Sequence, residues 1–252
     1  VALNDRIYIL GGKEKGSQPS NKRRLDDLNS SSRAVEACHL SNLSGSSIAP
    51  MNQRRHDFPA VCVNGKIYAL GGAFTDGSDC DDFAMSESEV FDTTYSYDSP
   101  EKEKTWTILP TRMSQRRQRH DAVVADEVIY VIGGYAGGKS LSSVERYDTI
   151  RQEWTELSPL QEPRDGCKAV VIGTKVYVMG GCNEKHRALQ SVEVFDVSTE
   201  TWSNLPPMQQ KWKHTFLAVP DSEKKYNLFV WKVLFSRDVR HRETAVDTVP
   251  AR

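Results

Sequence analysis

The chain repeats itself, and that repeat restricts its fold more than any other feature. A tyrosine three residues ahead of a glycine pair occurs as YILGG at 8–12, YALGG at 68–72, YVIGG at 130–134 and YVMGG at 177–181. A fifth tyrosine, Tyr226, follows at similar spacing but carries Phe229 and Val230 where the glycines would stand. After each of the middle copies comes a hydrophobic-acidic-aromatic-Asp stretch, ending at Asp92, Asp148 and Asp196, and then a tryptophan. Trp106, Trp154 and Trp202 stand 48 residues apart, each followed by a leucine (Leu109, Leu157, Leu205) and a proline (Pro110, Pro159, Pro206). Self-similarity at this period is the mark of stacked supersecondary units rather than of a single irregular core.

Within a unit the apolar runs are short, rich in β-branched and aromatic residues, and separated by turn residues. Asn64-Gly65 joins Val61-Cys62-Val63 to Lys66-Ile67-Tyr68 as a tight hairpin. The pattern predicts four strands per unit. The glycine pair closes the second strand, where the backbone needs positive φ or close approach, and the tryptophan buries its ring between neighbouring units. Such a unit is a propeller blade.

Composition removes other classes. The 33 Lys and Arg balance 34 Asp and Glu, a net charge of -1, so there is no general attraction to phosphate backbones. The apolar runs fall far short of the roughly 20 residues that span a bilayer. Nucleic acid and membrane are therefore not expected as partners. Five cysteines (Cys38, Cys62, Cys80, Cys167, Cys182), odd in number and without a CxxC pair, read as reduced thiols of a cytoplasmic protein. No secretory signal opens the chain, which starts at Val1 almost directly in a strand and reads as a piece of something longer.

The glycine doublet, the aromatic-Asp strand and the Trp-x-x-Leu ending resemble kelch repeats over roughly residues 6–230. Segment 140–160, SLSSVERYDTIRQEWTELSPL, is especially similar to the kelch domains of BTB-kelch proteins, although no BTB or BACK segment is present in these residues. The resemblance implies an all-β, kelch-type β-propeller over 1–230, with four recognisable blades and a degenerate fifth near Tyr226, followed by a divergent tail at 231–252. Two departures stand out. The first unit has Gly45 near the tryptophan position, Ala37-Cys38 in place of the aromatic, and about 13 extra residues after Gly12, which predicts a weak blade with a mobile loop. The second carries a polar insertion at 96–104.

Function in a propeller normally gathers on the loops at one mouth of the channel. The loops leading from each Trp-x-x-Leu strand into the next blade are basic: Arg54-Arg55-His56, Arg116-Arg117-Gln118-Arg119-His120, Arg164-Asp165, and Lys211-Trp212-Lys213-His214. In the ubiquitin-ligase adaptors that the chain resembles, basic residues of these loops recognise acidic peptides. By position, Arg55, Arg119, Arg164 and Lys213 correspond to them, with His120 beside Arg119. Such cations steer and hold carboxylates, arginine bidentately. The alternative is that they are solvated turn residues, or that each arginine pairs with a nearby Asp57, Asp121 or Asp165. In the loops after the glycine pairs, Tyr135 can be either a contact anchor or packing for its own blade, and Phe74 reads as packing. The recurrent Asp92, Asp148 and Asp196 read as turn caps, not as paired catalytic carboxylates.

An enzymatic reading exists, because kelch-type propellers include galactose oxidase, whose copper site needs two His, two Tyr and a Cys at one mouth. His56, His120 and His214 share a loop position here, but each lies beside Arg or Lys, whose charge opposes a bound cation. The expectation is a non-enzymatic protein-interaction module without cofactor. The resemblance implies the substrate-recognition part of a cullin-RING ubiquitin ligase adaptor, binding a protein with an acidic segment and reaching a cullin only through an upstream BTB domain. The alternative is an actin- or cytoskeleton-binding scaffold.

Overall fold

The computed structural model describes residues 1–3, 6–13, 31–42, 44–75, 83–94 and 105–212, together with the backbone of 216–218 and 229–231. Both insertions expected to be loops, Cys80, Lys213, His214, Tyr226 and the tail from residue 232 lie outside the described residues.

Each repeat folds into an antiparallel four-stranded sheet in which consecutive strands are neighbours. The first blade is β1 (Ala2–Leu3), β2 (Arg6–Leu10), β3 (Val35–His39) and β4 (Gly45–Ile48). The second is β5 (Ala60–Val63), β6 (Lys66–Leu70), β9 (Ser88–Asp92) and β10 (Trp106–Ile108), with a small hairpin of β7 (Ala73–Phe74) and β8 (Phe83–Ala84) between its middle strands. In the third, β11 (Asp121–Ala125), β12 (Val128–Ile132), β15 (Val144–Asp148) and β16 (Glu153–Leu157) enclose the hairpin β13 (Tyr135–Ala136) and β14 (Lys139–Ser140). The fourth is β17 (Lys168–Ile172), β18 (Lys175–Met179), β19 (Val192–Asp196) and β20 (Thr201–Leu205). A two-stranded sheet of β21 (Phe216–Ala218) and β22 (Phe229–Trp231) follows. The first strands of successive sheets lie side by side, β5 with β11, β11 with β17 and β17 with β21, so the inner edges converge as in a propeller.

The hairpins are set locally. Asn64 and Gly65 both take positive φ (48° and 71°), the geometry of a two-residue turn whose twist matches the strands it joins. The third blade makes the equivalent turn without glycine, through Asp126 and Glu127 at φ 48° and 65°.

Strand periodicity then decides what packs between blades. In β6 the side chains of Tyr68 and Leu70 join Ile129 and Val131 of the next blade in one buried cluster, while Ile67 and Ala69 join Tyr8, Val35 and Ala37 of the preceding one. The same alternation places Tyr130 and Ile132 against Val176 and Val178. The tryptophans complete these boundaries: each sits on the third-strand aromatic of its own blade, Phe91–Trp106 at 5.3 Å, Tyr147–Trp154 at 4.8 Å and Phe195–Trp202 at 5.0 Å between centroids. Trp106 Nε1 donates to the Ala49 carbonyl at 3.0 Å and Trp202 Nε1 to that of Ser158 at 2.8 Å, reaching back to the preceding blade.

The first blade is more complete than its sequence predicts. Gly45 pairs with Cys38 at the register that holds Phe91 with Trp106, Tyr147 with Trp154 and Phe195 with Trp202. The fourth strand therefore forms without its tryptophan, because strand pairing is a backbone property and only the ring contact is lost.

The glycine pairs meet a steric requirement. At Gly134 φ is 109°, and an added Cβ stands 2.7 Å from the Gln118 carbonyl. Gly134→Ala is expected to destabilise the protein by about 1–3 kcal/mol in urea-monitored unfolding, whereas Gly138→Ala, where nothing lies within 4 Å, loses only the cost of its φ of 80°.

Candidate functional site

One arrangement recurs at three blade boundaries. Arg55, Arg117 and Arg164 stand in the loops entering blades two, three and four, and each is fully buried. Their guanidinium groups donate to Glu89 at 2.7 Å, Glu145 at 2.6 Å and Glu193 at 3.0 Å, third-strand residues of the blade being entered. The same groups donate to the carbonyls that begin the glycine pairs, Gly71 (2.6 Å), Gly133 (2.7 Å) and Gly180 (2.9 Å), and to the third-segment carbonyls of Glu87, Ser143 and Ser191. Each glutamate also accepts two loop N–H groups: Asn52 and Gln53, Ser114 and Gln115, Gln161 and Glu162. Meanwhile the arginine carbonyls accept from the second glycine of the preceding blade, Gly12, Gly72 and Gly134. The arginine backbone thus holds one blade and its side chain the next. Burial pulls the Arg55 and Arg117 guanidinium groups below their ordinary range, opposed by Glu89 and Glu145.

This corrects the site expected from sequence. Arg55 and Arg164 do not face solvent; they are the interior halves of buried ion pairs, with the third-strand glutamate as partner rather than a neighbouring aspartate. The third loop's equivalent is Arg117, not Arg119, because the loop contains two basic pairs and the register is visible only from the Gly72–Arg117 bond. In the fourth loop Trp212 takes the position, its carbonyl accepting from Gly181 at 2.8 Å, and the expected Lys213 lies outside the described residues. A regular signal marked the true pairing: a glutamate stands two residues before the aromatic of the aromatic-Asp segment in blades two, three and four (Glu89, Glu145, Glu193).

Two residues beyond these arginines come Asp57, Arg119 and Gly166, all at positive φ (52°, 52° and 73°). Arg119 N–H donates to the Asp57 carbonyl at 2.8 Å and Gly166 N–H to that of Arg119 at 2.9 Å, a backbone chain running from loop to loop around the mouth. Here Arg119 is accessible, its side chain 34% exposed. Its guanidinium lies over the Tyr135 ring at 4.5 Å and 3.3 Å from Asp165. The structure therefore brings Arg119 and Tyr135 together and separates them from Arg55 and Arg164. Carboxylates at Asp57 and Asp165 share this mouth, so it is of mixed charge and not a ring of cations.

His120, expected beside Arg119 on the surface, is buried, packed against Gly71 and Gly134. Burial, reinforced by the Arg117 charge, holds its imidazole well below the ordinary value of 6.5, while the Leu70 carbonyl opposes. His56 is buried as well, with its Nδ1 2.8 Å from Ser31 Oγ. Among the described residues no three His, Cys, Asp or Glu side chains are grouped to hold a metal. The recurrent aspartates are turn caps: Asp148 Oδ1 accepts from Ile150 and Arg151 N–H at 2.9 Å each, and Asp196 Oδ1 accepts from Ser198 at 2.9 Å. Cys167 is buried, and its thiol is pushed up to about 12 by that burial.

Sequence reasoning passed over a cleft on the same loop face, between the first two blades. It has a volume of about 440 Å3 and is lined by Arg33, Asn52, Gln53, Arg54, Phe74 and Met85. Phe74, read as packing, is exposed there beside two arginines.

Comparison with known proteins follows the same lines. Residues 1–222 match the KLHDC2/KLHL20/DRC7 Kelch-repeats domain. Kelch-like protein 35 of Mus musculus is 26% identical over 199 residues, covering 73% of this chain and 32% of its own length. Alpha-scruin of Limulus polyphemus is 33% identical over 132 residues, 52% of this chain and 14% of that protein. The chain thus spans about a third or less of the curated relatives it matches. A solved structure of YjhT aligns with a TM-score of 0.66 at 15% identity, over 86% of this chain and 67% of that one, a likeness of fold.

Two measurements separate scaffold from surface. Glu145→Ala, which leaves the Arg117 charge buried and unpaired, is expected to cost about 3–5 kcal/mol in chemical denaturation, while Arg119→Ala costs less than about 1 kcal/mol. For His120 the folded pKa lies below the unfolded one, so the unfolded state binds the extra proton and stability falls as pH drops below about 6.5. His120→Gln should show a shallower loss between pH 7 and pH 5 in thermal melts; identical slopes would remove His120 as the source.

Proposed function

This chain belongs to the kelch-repeat propeller family, and from that premise we propose that it is a protein-interaction module that captures an acidic segment of a partner protein on its loop face. The observation that carries this reading is the Arg119–Tyr135 pair, a cation 4.5 Å over an aromatic ring centroid at an accessible position of the mouth. Tyrosine and arginine are enriched among interface hot spots, tyrosine as a large rigid contact with few rotamers and arginine as a planar fork that makes several hydrogen bonds at once. A partner carboxylate meets a guanidinium already oriented by Tyr135 and competes with Asp165 for it. The cleft at Arg33, Arg54 and Phe74 supplies a second cationic and aromatic contact on the same face. Coulombic capture followed by desolvation at the rings is the mechanism, which makes association salt-dependent. The role that best accommodates such a module is substrate recognition for a cullin-RING ubiquitin ligase, with the cullin engaged through a BTB domain elsewhere in the assembly.

The test is fluorescence anisotropy with a labelled acidic peptide containing one aromatic residue, and with its Lys-substituted counterpart. The acidic peptide is expected to bind and to weaken by about tenfold when salt rises from 50 to 300 mM. Arg119→Ala and Arg54→Ala should each weaken binding by roughly fivefold or more, on the scale of one exposed charged contact. Equal binding of both peptides, or indifference to both substitutions, would remove the loop face as the capture site.

A further inference from the structure

The loops entering blades two, three and four share a left-handed residue two positions after the buried arginine: Asp57 and Arg119 at φ 52° and Gly166 at φ 73°. Gly166 shows that the position needs only a backbone. It is buried, and its N–H donates to the Arg119 carbonyl, while the Arg119 N–H donates to that of Asp57. A side chain at positive φ carries a steric cost, small for aspartate and larger for arginine. The ion pairs that hold the blades are made by Arg55, Arg117 and Arg164, and neither Asp57 nor Arg119 enters one of them. Two charged side chains are thus kept at an accessible mouth on backbone that glycine fits best, the kind of local strain that gathers at binding sites.

These two side chains have opposite charge and adjoining backbones, yet they do not pair with each other. Arg119 turns to Tyr135, 4.5 Å below it, and to Asp165 at 3.3 Å. Asp57 is exposed, and among the described residues its carboxylate has neither a cation nor a hydrogen-bond donor. The mouth therefore presents a guanidinium and a free carboxylate from two loops joined by one 2.8 Å hydrogen bond. Backbones joined in this way stand roughly 5 Å apart. An extended peptide presents alternate side chains on one face, roughly 6–7 Å apart. Residues two positions apart in such a peptide reach both loops at once.

We propose that Asp57 is a specificity residue of the loop face, taking a lysine or arginine that stands two positions from the acidic residue held by Arg119. The partner segment then reads acidic-x-basic in an extended run. This rests on the capture of an acidic segment at Arg119 and adds the residue that must accompany the acid. A uniformly acidic segment brings its second carboxylate against Asp57, a like-charge contact that lowers affinity, whereas a mixed segment satisfies both loops. Asp57 is thus the repulsive element that separates one class of acidic protein from another.

The test uses the full chain and three labelled peptides that share one aromatic residue and differ only in reading Glu-x-Lys, Glu-x-Gln or Glu-x-Glu. Fluorescence anisotropy at low salt is expected to rank them in that order, with roughly fivefold or more between the first and the last. Asp57→Asn and Asp57→Gly both accept the left-handed backbone, so each should melt within about 2 °C of the original. In both variants the Glu-x-Glu peptide should bind at least as well as the Glu-x-Lys peptide. Equal affinity of the three peptides for the original chain, with binding still weakened by Arg119→Ala, overturns this proposal and leaves acidic capture standing. A lysine preference that persists in both Asp57 variants also overturns it, because the cation is then held elsewhere. Indifference of all three peptides to Arg119→Ala, or binding by none of them, overturns the capture reading and this proposal with it.

Discussion

The structure hangs on a buried arginine that belongs to two blades at once. Its carbonyl accepts from the glycine doublet behind it, and its guanidinium reaches forward to the next doublet and to a third-strand glutamate. Desolvating a guanidinium and a carboxylate is costly, and only a complete set of partners offsets it. Here the set is complete but for a few guanidinium N–H groups, and it repeats at three boundaries. The glycine doublet, the loop and the glutamate are therefore one unit, and none of the three can change without stranding a charge.

That economy decides what is left for function. Arginines consumed in holding blades together cannot also meet a partner, so the basic content of the loops overstates the cationic surface. Accessible charge is left at Arg119, stacked on Tyr135 and partly offset by Asp165, and at Arg33 and Arg54 around Phe74. Recognition on this face rests on a few oriented groups within a mixed field, a basis for selectivity more than for general attraction to acidic proteins.

The open face at Ile7 and Ile9 follows from the same construction. Stacked repeats bury their sides only against neighbours, and on the first described blade Ile7 and Ile9 stand exposed where the matching residues of the next three are covered.

Much of this was legible from the amino-acid order. Period-two patterning around each tyrosine, the Asn64-Gly65 turn and the 48-residue spacing of the tryptophans determined four-stranded blades, since strand formation and hairpin closure are governed by near neighbours. The aspartate turn caps were legible for the same reason. What only the tertiary structure decided was which basic residues are inside. Arg117 and Arg119 are two positions apart in one loop and chemically identical; a hydrogen bond to Gly72 from a distant strand puts one in the core, and a left-handed backbone at the other turns its side chain to the mouth. Burial is a property of the assembled blades, and the charge that remains for binding is whatever that assembly leaves accessible.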